Sequence, residues 1–85
     1  MSKLDLEPIE QYVIDTVRKM RIEKGISQKE LAFDLDLSIG FIGDVESHKS
    51  NAKYNLKHIN KLAQIFNCSP KDFLPKNAIV EKRKK

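Results

Sequence analysis

Few groups in this sequence could bind a metal or carry a reaction: His48, His58, Cys68, and scattered serines and aspartates. His48, His58 and Cys68 follow one another at ten-residue intervals, unlike the close ligand pairs of zinc sites, and no metal or cofactor is expected. No serine or cysteine is set against a base by a recognisable motif, so no enzyme is expected either. Cys68, between Phe66 and Phe73, reads as a small core residue, and as the single cysteine it can form no internal disulfide.

The remaining chemistry is that of charge. The chain of 85 residues has a formal net charge of +4, but Lys82, Arg83, Lys84 and Lys85 carry four positive charges by themselves. Taking those four from the sixteen basic residues leaves twelve against twelve acidic ones, so the body is neutral. Where the charges sit therefore matters more than their sum. The basic tail serves either nonspecific phosphate attraction or solubility.

The elements that position these groups read as helices throughout. Pro8 suits the first turn of a helix running to about Lys24 and stopping at Gly25. Its inner stripe is expected at Ile9, Val13, Thr16, Val17 and Met20, with Ile14 and Arg21 on one border. Ser27 to Glu30 forms a capping box opening a second helix, with Leu31, Ala32 and Leu35 facing inward. After a tight break at Asp36-Leu37, Ser38 caps a short third helix through Glu46, with Ile42 and Val45 inside. Two helices this close form the helix-turn-helix spacing. Asn55 caps a fourth helix with Leu56, Ile59, Leu62, Ala63 and Phe66 on one face. Ser69-Pro70 starts a brief fifth containing Phe73 and Leu74, which Pro75 closes.

The expected organisation is one domain over residues 1–75, the helix-turn-helix proper at 28–46, and a frayed basic tail at 76–85. No apolar run approaches the roughly 20 residues that span a bilayer, and the N-terminus lacks a secretion signal. A cytoplasmic location away from membranes is expected.

Arg21, Gly25, Ser27-Gln28, Glu30-Leu31-Ala32, Leu35, Leu37-Ser38, Ile42 and Val45-Glu46, then Leu62-Ala63, Cys68 and Phe73-Leu74, stand in a particular order. In this the chain resembles the phage repressor and Cro proteins, the xenobiotic-response-element family. The resemblance implies an all-α, compact five-helix bundle of the lambda-repressor-like type, the second helix crossing the DNA backbone and the third entering the major groove. It implies a structural ion pair between Arg21 and Glu46, and a phosphate contact from Gln28 at the positive end of the second helix. It puts Ser38, Ile39, Gly40, Gly43 and Asp44 on the DNA-reading face, with Phe41 on its rim. Lys49, Ser50, Asn51 and Lys53 would lie along the phosphates. The implied activity is that of a sequence-specific transcriptional regulator, a repressor, whose partner is double-stranded DNA.

Three features depart from the family's pattern. Gly40 and Gly43 carry no side chain, Ile39 offers only apolar contact, and Asp44 repels phosphate while accepting from a cytosine amino group at best. His48 stands where the family usually has glycine, and the loop up to Asn55 is about two residues longer than usual. A reading face of this composition leaves an alternative open, a protein-interaction module that keeps the fold and binds a protein partner. Phe33, Ile22 and Tyr12, directed away from the core or at its border, are either scattered surface residues or a homodimer patch.

Overall fold

Ser27 is the clearest organising residue. Its hydroxyl accepts from the Glu30 amide at 3.0 Å, while the Glu30 carboxylate accepts from the Ser27 amide at 2.8 Å. Two otherwise orphaned backbone donors are thereby satisfied at one helix start. The computed structural model describes residues 6–47 and 49–80. Among these, α1 spans Pro8–Glu23, α2 Gln28–Leu35, α3 Ile39–Glu46 and α4 Leu56–Phe66, followed by a 3-10 turn at Pro70–Phe73. Residues 76–80 take no helical or strand structure, and the basic residues Lys82 to Lys85 and His48 lie outside the described residues.

The architecture is thus four α-helices and one 3-10 turn, which corrects the expected five-helix bundle. The start signal at Ser69-Pro70 is real: Ser69 and Asp72 close a capping box around Pro70. The helix fails to propagate because Leu74 precedes Pro75, and proline disfavours the α conformation in the residue before it. Leu74 is extended, with φ −105° and ψ 153°. One turn is enough to bury Phe73 fully, its ring edge-on to Phe66.

α1 is rotated relative to the expected stripe. Val13, Ile14, Val17 and Arg21 are buried, Met20 is only half-buried, and Ile9 is exposed. The seam runs through Arg21 because α1 packs against α3 and the 3-10 turn, and α3 supplies a buried partner for that arginine. α4 corrects a second detail: Leu56 is 83% exposed, and Tyr54 from the preceding loop is buried instead. As the first residue of α4, Leu56 projects back toward the helix N-terminus, past the edge of the core.

Only Asp36, Leu37 and Ser38 separate α2 from α3. Asp36 turns the chain in the left-handed region, at φ 60° and ψ 43°. Its amide donates to the Phe33 carbonyl at 3.1 Å and the Leu37 amide to Ala32 at 2.9 Å, closing the end of α2. Leu37 packs against the core, pinning this turn to the body of the domain.

Candidate nucleic-acid interface

α3 is held by its inner side and free on its outer side. Ile42 and Val45 are fully buried, while the Ser38 hydroxyl caps the helix by accepting from the Phe41 amide at 3.0 Å. Phe41 turns toward α4, its ring centroid 6.3 Å from that of Tyr54 and 5.5 Å from that of His58. It therefore anchors α3 to the domain. Ser38, Gly40 and Asp44 are exposed, Ile39 is 53% exposed, and Gly43 is half-buried beside Gln28.

A network of charge fixes α3 from behind. Arg21 Nε donates to Glu46 Oε2 and Arg21 Nη2 to Glu46 Oε1, both at 2.8 Å, while Nη1 donates to the Ile26 carbonyl at 2.7 Å. The structure so brings together Arg21 and Glu46, in the paired geometry that makes arginine–carboxylate contacts strong. The Glu46 side chain is only 3% exposed. Its carboxylate raises the pKa of Arg21 above the usual arginine value, although burial acts in the opposite direction. Gln28 Nε2 also donates to Glu46 Oε1, at 2.9 Å. Its side-chain amide is thus tied to the far end of α3, with one N–H and the carbonyl oxygen left for other partners.

Tyr54 lies against this network. Burial raises the pKa of its phenol, with a further push from the charge of Glu46, and its enclosed hydroxyl has no hydrogen-bond partner among the described residues. His58 extends the aromatic cluster and caps α4: its Nδ1 accepts from the Asn55 amide at 3.1 Å, while its own amide donates to Asn55 Oδ1 at 2.8 Å. Burial and the neighbouring Lys57 lower the imidazole pKa. Cys68 packs against the core, where burial raises its thiol pKa.

The loop residues Lys49, Ser50, Asn51 and Lys53 take separate places. Lys49 and Asn51 are exposed, and the Lys49 amide donates to Ser47 Oγ at 3.0 Å. Ser50 is half-buried, its hydroxyl accepting from the Ala52 amide at 3.0 Å. Lys53 Nζ reaches across to Glu10 Oε2 at 2.8 Å, an ion pair at the side of α1 that any phosphate would have to displace. Sequence reasoning missed one cation. Arg18, more than half exposed, brings its Nε to 3.7 Å from Glu46 Oε1, at the C-terminal end of α3. The available signal was its position one turn before Arg21 on the same helix.

Among the described residues, no helix is long and apolar enough to cross a membrane. The family model of the Cro/C1-type HTH DNA-binding domain matches residues 16–75. The control protein C.BamHI of Bacillus amyloliquefaciens is 37% identical over 59 residues, covering 68% of this chain and 70% of that protein. The crystal structure of the restriction-modification controller protein C.AhdI from Aeromonas hydrophila is similar, with a TM-score of 0.64 and 30% identity, over 74% of this chain and 92% of that one. That of a hypothetical transcription factor, NHTF, from Neisseria gives 0.66 and 27%, over 79% and 75%. This matched region takes in the second half of α1, with Val17 and Arg21 of its seam, and the whole of α2, α3 and α4, and no enzymatic activity belongs to it. The chain belongs to the Cro/C1-type helix-turn-helix family, and is a non-catalytic DNA-binding domain of transcriptional regulation.

Proposed function

We propose that this domain is a sequence-specific transcriptional repressor that places α3 in the major groove and acts as a homodimer on a two-part operator. The observation that carries the reading is the lock of Arg21 and Gln28 on Glu46, which holds α2 and α3 at a fixed angle with the outer side of α3 open. Ser38, Ile39, Gly40, Gly43 and Asp44 then face base edges. Lys49 and Asn51 follow the phosphates beside them, with Ser50 holding the loop, and Gln28 reaches a phosphate with its second amide proton. The similar C.AhdI is a restriction-modification controller protein, which makes the control of such a gene pair the first biological setting to examine.

The second copy is expected on the groove whose apolar lining is Ile9, Val13, Tyr54, Leu56, Ile59 and Leu74, because among the described residues Leu56 and Ile9 are left exposed there. Two recognition helices would then meet half-sites about 34 Å apart.

The test is binding to a pool of random duplex DNA at two salt concentrations, followed by sequencing of the retained fraction. Enrichment of a two-fold symmetric site, with affinity falling steeply as salt rises, is the expected result. Binding without enrichment would overturn base reading by α3 and turn attention to a protein partner on the same face.

A further inference from the structure

The outer face of α3 has an unusual chemistry. Ile39 opens the helix with a branched hydrocarbon left 53% exposed. Gly43 lies one turn later in the same row, and Gly40 and Asp44 form the adjacent row. Neither glycine is needed by the fold. Outside its own helix, a Cβ at Gly40 would meet nothing nearer than Ser38 Oγ at 3.9 Å, and one at Gly43 nothing nearer than Gln28 Oε1 at 3.9 Å. Both glycines lie in ordinary right-handed helix, where alanine would be more favourable. The missing side chains make room for something outside the chain, and a backbone cleared in this way can approach a flat partner closely.

The partner's chemistry follows from what the face offers. It has no arginine or lysine to pair with guanine, and no free asparagine or glutamine to pair with adenine. Gln28, the nearest amide, gives one N–H to Glu46, and its second N–H is the phosphate donor of the reading above, which leaves none for adenine. Ser38 at the mouth of the helix keeps an O–H that any base can accept, so it does not choose between them, and two discriminating contacts remain: a hydrocarbon at Ile39 and an acceptor-only carboxylate at Asp44. In the major groove the hydrocarbon matches the C5-methyl of a pyrimidine, and the carboxylate matches the N4 amino group of cytosine.

We propose that α3 is a pyrimidine reader in which Ile39 recognises a major-groove C5-methyl group and the gap at Gly40 and Gly43 lets it reach. The methyl has two chemical sources, thymine and 5-methylcytosine, and the second carries the N4 donor for Asp44 on the same ring. This inference rests on the DNA-binding reading above and adds the chemical class that is read.

The experiment uses the full chain and the duplex enriched in the selection. Each thymine is replaced in turn by deoxyuridine, which removes only the C5-methyl. At one thymine or more per half-site the replacement should weaken binding about fourfold, equivalent to the ~0.8 kcal/mol of one buried methyl. Ile39→Ala should bind thymine and uracil alike at that position, and Ile39→Val should keep the difference. Ile39 lies outside the core, so these variants leave folding intact. At the sensitive position, cytosine and 5-methylcytosine opposite guanine separate the sources: tighter binding of the methylated base extends the reader to 5-methylcytosine, and equal binding confines it to thymine. Indifference to uracil at every position, with the duplex still bound tightly and salt-dependently, overturns the methyl reading and leaves the DNA reading standing. Sensitivity that persists unchanged in Ile39→Ala also overturns it. Failure to retain any duplex overturns both.

Discussion

Gln28, the first residue of α2, donates its side-chain amide to Glu46, the last residue of α3, at 2.9 Å. The same carboxylate oxygen accepts from Arg21 of α1, so three helices meet on one buried acid. Glu46→Ala should therefore cost about 3–5 kcal/mol, because it leaves the Arg21 guanidinium enclosed without its counter-charge. Urea unfolding measures it. The double variant Arg21→Met with Glu46→Leu should lose much less than the sum of the single changes, since no lone charge remains.

Gly40→Ala and Gly43→Ala should act in opposite directions on folding and binding. Each should raise stability by ~0.8–1 kcal/mol, the ordinary helix preference for alanine, because there is space for a Cβ at both positions. Each should also weaken operator binding by keeping the backbone away from the bases. Thermal unfolding alongside affinity measurements on the selected duplex checks both halves.

Lys49 and Lys53 should contribute unequally to DNA binding. Lys49→Glu should lower affinity across all sequences and reduce the slope of log affinity against log salt by about 0.9, as expected for one lost phosphate contact. Lys53→Glu should change that slope less, because Lys53 is already paired with Glu10. Salt titrations of the two variants against one duplex distinguish them.

Leu56→Glu should leave stability within about 0.5 kcal/mol of the parent, as expected for a surface change, since the side chain is open to solvent. It should convert the proposed dimer to a monomer in sedimentation experiments and weaken binding to the proposed two-part operator. An unchanged sedimentation coefficient would reassign the dimer contact to another face, the exposed Phe33 of α2 being the next to test.

His58 gives the domain a stability term that depends on pH. Its folded-state pKa lies below the ordinary value of 6.5, because burial and Lys57 disfavour the charged ring, and Nδ1 must be unprotonated to accept from Asn55. The unfolded chain then binds the proton more readily than the folded one. The contribution is fully present above pH 6.5 and is lost as pH falls through that value toward the lower folded-state pKa. Melting temperatures between pH 5 and 7.5 should fall more on acidification in the parent than in His58→Gln.

Local signals in the sequence were the most legible. Ser27 with Glu30, Ser38 and Asn55 each mark the start of a helix, because a capping side chain acts on an amide two or three residues away. The inner residues of α2 and α3 were equally readable, as short helices with one apolar row. The brief last helix was half legible: Ser69-Pro70 started it, and Pro75, acting through Leu74, stopped it one turn later. Tyr54 was hidden by its polar neighbours in the loop, and its packing against Phe41 of α3 and His58 of α4 makes it a core residue. Arg21 was legible only in part: the resemblance named its partner Glu46 and periodicity put it on the border of the α1 stripe, but its charge kept it from being read as part of the seam itself. The contacts of Gln28 with Glu46 and of Lys53 with Glu10 join residues 18 and 43 positions apart, beyond any local pattern.

The acid that holds α3 faces the protein, while Ile39, Gly40 and Asp44 are exposed and stand outside the core. Folding and the proposed reading are therefore written in different letters of the same short helix. Those three positions form an exchangeable cassette: rewriting them should redirect the domain to a new operator while the scaffold keeps its shape, and a random library confined to them should yield mostly folded proteins.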